Sequence, residues 1–152
     1  MAKHRLKLQD FNQKYSLLAI HSNAEIFKVA HSLNGLLKIS LKRENDIYFE
    51  NFDCKYSIYK YVSSKYKSKM FLFSNKSLNS SKVNTETTLF NVIDTSSLFI
   101  TEFPKVEFFL KIEDGEFNIE ELIFKINNCK NIMSCYQVNL KRDKSKYNLI
   151  FE

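Results

Sequence analysis

The sequence predicts a single α+β domain in which two helices cover one face of a mixed or antiparallel sheet. Two amphipathic helical segments, each between strand-like apolar runs, and one lysine-rich hairpin carry this prediction. With 152 residues, of which 44% are apolar, the chain is long enough to form one buried core. We therefore expect one domain that spans residues 1–152.

The first strand and helix are predicted from local signals. Residues 15–20 form a compact apolar run that is typical of a buried strand. Ser22 and Glu25 then have the spacing of a capping box, in which a hydroxyl and a carboxylate satisfy backbone groups at a helix start. Four apolar residues recur at helical spacing and define one face, namely Ile26, Val29, Ala30 and Leu33. Gly35 predicts the helix end, and residues 36–41 predict the following strand.

A hairpin and a long loop are predicted for the middle of the chain. Residues 56–62 and 70–74 are strand-like, and the lysine-rich residues 63–69 join them. Residues 75–97 are rich in Ser, Thr and Asn and predict a mobile loop. Near the start of the chain, residues 3–8 alternate in polarity and indicate a short edge strand.

The last third of the chain predicts a β-α-β unit. Residues 106–112 are strand-like, and residues 113–115 have turn chemistry. Asn118 is placed to cap a helix, with Glu121 three residues later. The apolar face of this helix consists of Ile119, Leu122, Ile123 and Ile126. With residues 132–138 as the next strand, the order of elements favours a ferredoxin-like or ACT-like arrangement.

The composition bears on compartment and partner. The formal net charge is +6, but only three of the 23 basic residues are arginine. Because arginine is favoured for bidentate phosphate recognition, the net charge alone is weak support for nucleic-acid binding. No apolar run approaches the ~20 residues of a membrane span, and the first eight residues lack the apolar stretch of a signal peptide. We expect a cytoplasmic protein without a membrane partner.

The charges are unevenly distributed along the chain. Residues 53–82 contain seven lysines and one acid, whereas residues 102–121 contain seven acids and two lysines. This separation indicates either a face for an oppositely charged partner or separate solvated faces that aid solubility. The candidate basic patch consists of Lys60, Lys65, Lys67 and Lys69. With Tyr59 and Tyr61 nearby, such a hairpin could stack bases and neutralise phosphates of RNA.

One motif suggests a family. The spacing Ile-x-Glu-x-x-x-Val-x-Phe is formed by Ile100, Glu102, Val106 and Phe108. The segment resembles the motif of the IPExxxVDY family, an uncharacterised bacterial family of about this chain's length. Thr101, Glu107 and Phe108 stand where that family has Pro, Asp and Tyr. The resemblance implies family membership, but it implies no activity and supplies no catalytic, metal or cofactor residue.

Patterns for known chemistries are sparse in this sequence. With glycine only at positions 35 and 115, the glycine clusters of phosphate-binding loops are missing. The three cysteines are odd in number and lack zinc spacing, and the three histidines also lack metal spacing. Glu102 and Glu107 could form a general acid/base pair or could be two solvated carboxylates. We expect no catalytic residue, no metal site and no cofactor.

Three functions are compatible with these patterns. The leading hypothesis is a non-enzymatic interaction or adaptor module that binds a protein partner. Its candidate interaction surface consists of Glu102, Pro104, Lys105 and Glu107. The alternative is a basic accessory protein that binds RNA through the basic patch. The third is an enzyme or small-ligand sensor with a pocket between the sheet and the loop at residues 75–97.

Overall fold

The computed structural model describes residues 15–49, 53–65, 67–78, 98–113 and 117–140. These residues form two helices, α1 (Ile26–Leu37) and α2 (Ile119–Asn127). Their strands, in chain order, are β1 (Tyr15–His21), β2 (Lys42–Arg43), β3 (Ile47–Phe49), β4 (Cys54–Tyr56), β5 (Ile58–Ser63), β6 (Ser68–Ser74), β7 (Phe108–Glu113) and β8 (Ser134–Val138). The predicted edge strand at 3–8 and residues 79–97 of the predicted mobile loop lie outside the described residues, as do residues 114–115 of the predicted turn.

Six strands form the main sheet, in the order β2-β5-β6-β7-β1-β8. Each neighbouring pair in this sheet is antiparallel. Because β7 and β8 both pair antiparallel with β1, they run parallel to each other on its two sides, with α2 in the connection between them. The result is a split β-α-β unit. The predicted α+β class, with an antiparallel sheet and two helices, is confirmed.

Apolar side chains cover both faces of the sheet. One face packs against the helices, and its core includes Leu18, Leu72 and Leu110 of the sheet with Leu33 and Ile126 of the helices. The opposite face also has a buried core, formed by Leu17, Phe71, Phe73, Phe99, Ile100, Val106 and Phe109 together with Cys54, Tyr56 and Ile58. The small β3–β4 sheet and the segment after residue 98 therefore form a second cover. From the sequence, only the cover formed by the helices was predicted.

The start of α1 differs from the predicted capping box. The helix begins at Ile26, and its N-cap, Glu25, makes no side-chain capping bond. The Ser22 hydroxyl instead accepts from the Ala24 N–H and donates to the Asn131 carbonyl oxygen. The predicted capping box is wrong because the Ser22 oxygen accepts from Ala24, outside the helix, while its proton is donated to a residue 109 positions away. The predicted apolar face is confirmed, since Val29, Ala30 and Leu33 are buried.

The end of α1, at Leu37, lies two residues beyond the predicted glycine. Gly35 is inside the helix, and Lys38 takes the left-handed conformation with φ 56° while its N–H donates to the Asn34 carbonyl. The Asn34 side chain then accepts from the Leu41 N–H at 2.7 Å and donates to the Leu41 carbonyl at 3.3 Å. This amide folds residues 38–41 back onto the helix end. The predicted strand over residues 36–41 is therefore wrong.

The second helix follows its prediction closely. The Asn118 side chain accepts from the Glu121 N–H at 3.3 Å, and the helix ends at Asn127. Asn127 has a further role that the sequence did not indicate. Its carboxamide accepts from the Cys135 N–H at 2.8 Å and donates to the Cys135 carbonyl at 2.9 Å. It thereby occupies two backbone groups of β8 that point away from β1, which limits pairing of this strand with another chain.

The predicted hairpin is confirmed, with a change at its start. Strands β5 and β6 pair in register from Ile58 opposite Phe73 to Ser63 opposite Ser68. Tyr56 belongs instead to β4, in the small sheet. Among the described residues, neither helix has the length and apolar character needed to cross a membrane.

Candidate functional site

The motif segment lies on the sheet face opposite the helices. Phe99, Ile100 and Val106 are buried there and anchor the segment to the core. Between these anchors, residues 101–105 make two turns, and we call these five residues the motif loop. The exposed residues of the motif loop are Thr101, Glu102, Pro104 and Lys105. Three of the four predicted interaction residues therefore share one exposed loop, and the fourth, Glu107, lies just beyond it.

Asn75 holds the motif loop in place. It is 0% exposed, and its Nδ2 donates to the carbonyl oxygens of Phe103 at 3.0 Å and Val106 at 3.1 Å. Its Oδ1 accepts from the Ile100 N–H at 2.6 Å. The Asn75 backbone adds two hydrogen bonds. Its N–H donates to the Glu107 carbonyl oxygen, and its carbonyl oxygen accepts from the Phe99 N–H. One buried amide thus satisfies backbone groups along the whole loop, as a strand would do in a sheet.

Glu107, next to the motif loop, contacts a histidine that in turn contacts a tyrosine. Its Oε1 lies 3.4 Å from His21 Nδ1 and accepts from the Ser22 N–H at 3.0 Å. The other ring nitrogen of His21, Nε2, lies 2.8 Å from the Tyr136 hydroxyl, and the two rings stack with centroids 5.5 Å apart. The side chains of His21 and Glu107 are 23% and 31% exposed, and Tyr136 is 42% exposed. We call these three residues the Glu-His-Tyr chain.

Three elements of the fold bring the Glu-His-Tyr chain together. His21 is the last residue of β1, Glu107 precedes β7, and Tyr136 lies in β8, opposite Ala19 of β1. The Met133 N–H donates to the His21 carbonyl at 2.8 Å, which fixes the loop before β8 against the end of β1. Because β1 lies between β7 and β8, its end is the place where side chains from both neighbours meet. The site is thus a consequence of strand order.

Part of this site could be predicted from the sequence, and part of it could not. Glu107 was a predicted site residue, whereas His21 was considered only as one of three histidines that lack metal spacing. Tyr136 was not singled out, and no local signal could have identified it, because it lies 115 positions from His21. Glu102, considered as an acid/base partner of Glu107, is exposed in the motif loop, where its Oε1 accepts from the Thr101 hydroxyl.

The predicted basic patch is distributed over the β5–β6 hairpin. Lys65 and Lys67 are exposed at its tip and Lys69 is exposed on β6. Lys60 is only half-exposed, and its Nζ lies 5.8 Å from the Phe71 ring centroid. Lys42 of β2 stands directly opposite Lys60. An open groove of about 310 Å³ runs beside this pair and is lined by Ser40, Lys42, Glu44, Lys60, Tyr61 and Val62.

The three cysteines all lie in the described part of the chain. There, no group of three or more His, Cys, Asp or Glu side chains is placed to hold a metal ion. Cys54 and Cys135 are buried, Cys129 is half-buried, and none of the three forms a disulfide. Burial raises the pKa of the Cys135 thiol to about 12, which disfavours the reactive thiolate.

Comparison with known proteins adds no family to these observations. No protein-family model matches the chain, and no curated protein matches it with significance. The resemblance to the IPExxxVDY motif stays a prediction.

Proposed function

We propose that this protein is a non-enzymatic interaction module that binds a protein partner through the motif loop. The observation that carries the proposal is the buried Asn75, which holds a loop of exposed polar residues in one conformation. A loop that is already ordered loses little conformational entropy on binding, so more of the contact energy appears as affinity.

The chemistry of the motif loop favours a polar partner surface of mixed charge. Glu102 and Lys105 supply one charge of each sign within four residues, and Pro104 adds an exposed rigid ring between them. Opposite charges at a binding surface give specificity and orientation more than raw affinity. We therefore expect a partner that is recognised by charge pattern.

Exchanging the two charges of the motif loop is expected to remove partner binding. The double variant Glu102→Lys/Lys105→Glu keeps the net charge and reverses the pattern, so we expect affinity for the partner to fall at least about tenfold. The measurement is affinity capture at low salt, followed by a titration of each retained protein.

The matched control is Glu120→Lys/Lys130→Glu, which exchanges the same charges at exposed positions on and after α2. A partner retained by the wild type and the control but lost by the loop variant supports the proposal. Capture of the same proteins by all three would contradict it, as would capture of none above background.

RNA binding is a second candidate, and one observation favours it. Lys42 and Lys60 are directly opposite in the sheet, and Lys65, Lys67 and Lys69 lie along the same hairpin as Lys60, so positive charge is concentrated on this hairpin and its neighbouring strand. Base stacking has less support, because Tyr59 and Tyr61 are packed against the helix-side core. The affinity of the hairpin for RNA would therefore be mainly electrostatic.

If RNA binds the hairpin, we expect the triple variant Lys65→Glu/Lys67→Glu/Lys69→Glu to have an RNA affinity at least about tenfold lower than that of the wild type. The affinity of the variant should also depend less on salt concentration. Fluorescence anisotropy with a single-stranded RNA at several salt concentrations measures both quantities. The control, Lys28→Glu/Lys125→Glu/Lys130→Glu, changes the net charge equally at exposed helix and loop positions. Equal losses for the two variants would show a nonspecific charge effect and would exclude the hairpin as the RNA site.

A further inference from the structure

The Glu-His-Tyr chain has a defined direction of hydrogen bonding. A carboxylate only accepts, so Glu107 favours the His21 tautomer that carries its proton on Nδ1. In that tautomer Nε2 has a lone pair, and the Tyr136 hydroxyl at 2.8 Å donates to it. The order carboxylate, imidazole, hydroxyl is the arrangement in which a histidine acts as a general base on a nucleophilic oxygen.

The Glu-His-Tyr chain is both held in place by hydrogen bonds and accessible to solvent. Ser22 holds the Glu107 carboxylate through its N–H, and its own hydroxyl bonds the Asn131 carbonyl. Asn131 in turn donates to the Ser32 hydroxyl of α1 at 2.7 Å, which ties this region to the helix layer. Tyr136 remains 42% exposed. A reagent in solution therefore has access to a phenol whose base is already oriented.

We propose that Tyr136 is a nucleophilic tyrosine, activated by His21 and Glu107, that accepts an acyl group from an uncharged ester. In this step the Tyr136 oxygen attacks the ester carbonyl carbon, and its proton passes to His21 Nε2. The imidazolium is stabilised by Glu107 and then donates that proton to the departing alcohol oxygen as its bond to the carbonyl carbon breaks. The products are an O-acyl-tyrosine and a free alcohol, and no oxidant or reductant is needed. The step acylates Tyr136 once, without turnover, and does not depend on the function proposed for the motif loop.

The charge of the site favours an uncharged electrophile. Glu107 lies 3.4 Å from Nδ1, so its carboxylate would repel a phosphate or carboxylate at Nε2 from the other side of the imidazole ring. An ester adds no charge until the tetrahedral intermediate forms. The structure thus points to acyl transfer in preference to phosphoryl transfer.

A second tyrosine provides an internal comparison. Tyr48 is 47% exposed, close to the exposure of Tyr136, and its hydroxyl donates to Asp53 Oδ1 at 2.8 Å. The two phenols are therefore similarly accessible, and both are hydrogen-bonded to a side chain. They differ in the acceptor, which is an imidazole for Tyr136 and a carboxylate for Tyr48.

The test uses p-nitrophenyl acetate on the full chain, with peptide mass spectrometry to measure acetylation of each tyrosine over time. We expect Tyr136 to be acetylated at least about tenfold faster than Tyr48, since general-base assistance contributes factors of about 10² to 10⁴. In His21→Gln, acetylation of Tyr136 is expected to fall to the rate of Tyr48, and in Tyr136→Phe the fast phase of p-nitrophenolate release is expected to disappear.

The comparison within the wild-type chain keeps the proposal testable if His21→Gln fails to fold. Equal acetylation of Tyr136 and Tyr48 in the wild type would overturn the proposal. Fast acetylation of Tyr136 that persists in a folded His21→Gln would also overturn it, because exposure alone would then explain the rate. Loss of the Tyr136 reaction with an unchanged Tyr48 reaction supports activation by His21.

Discussion

Replacing Asn75 by alanine is expected to lower the free energy of unfolding by about 4 kcal/mol. The substitution removes the acceptor of the Ile100 N–H and the donor to the carbonyl oxygens of Phe103 and Val106. Asn75, Ile100 and Val106 are each at most 2% exposed, so water cannot readily replace these bonds. A buried backbone group without a partner costs about 1–3 kcal/mol. The Ile100 N–H and the Val106 carbonyl lose their partner, whereas the Phe103 carbonyl still accepts from the Val106 N–H. Urea denaturation measures the loss.

Hydrogen exchange tests the mechanism of that loss. In Asn75→Ala we expect the Ile100 amide to lose its protection, while amides in the centre of β1 remain protected. The control is Asn45→Ala, which truncates an exposed asparagine and should change stability by less than about 0.5 kcal/mol. A stable Asn75→Ala variant with a protected Ile100 amide would show that the motif loop does not depend on this side chain.

Neutralising Glu113 is expected to lower the free energy of unfolding by about 3 kcal/mol. Its Oε1 lies 3.6 Å from the Nζ of Lys111, whose side chain is only 5% exposed and lies near the rings of Tyr15 and Phe71. Removing one partner of a buried ion pair leaves the other charge uncompensated, whereas replacing both is often neutral. Glu113→Gln should therefore be destabilised, and Lys111→Met/Glu113→Gln should return to within about 1 kcal/mol of the wild type.

The pH dependence of the same pair provides an independent test. Burial lowers the pKa of Lys111 below its ordinary value of 10.5 in the folded protein. At pH values between the lowered pKa and 10.5, the unfolded chain binds more protons at Lys111 than the folded protein does. The free energy of unfolding of the wild type should therefore rise with pH relative to that of the double variant. Urea denaturation across this range measures the difference. A constant difference, or a double variant as unstable as Glu113→Gln, would show that Lys111 is not buried as a charge.

The two helices could be predicted because their signals are local. Residues three and four apart share a helix face whatever the rest of the chain does, so Val29 and Leu33 identified the buried face of α1. The Asn118 cap also bonds within its own first turn. The strand at residues 15–20 and the hairpin of residues 56–62 and 70–74 were predicted for the same reason, since apolar runs and a hairpin need no distant partner to be recognised.

The errors occurred where one side chain had two competing partners. Ser22 has the spacing of a helix cap, but a hydrogen bond to Asn131 replaces that role. Gly35 could end a helix, but the Asn34 side chain stabilises a later end by bonding both backbone groups of Leu41. Composition assigned Asn75 to a mobile loop, whereas it is buried and holds the motif loop. Sequence patterns do not show which of two possible hydrogen-bond partners, one near and one distant in the chain, a side chain will take.

The amino-acid sequence by itself determined the α+β class, the two amphipathic helices, the hairpin and the uneven charge, because each depends on neighbours within about one turn or one strand. Only the tertiary structure decided that Asn75 supports the motif loop and that Glu107, His21 and Tyr136 meet. Those contacts depend on β1 lying between β7 and β8, and strand order is a property of the whole folded chain.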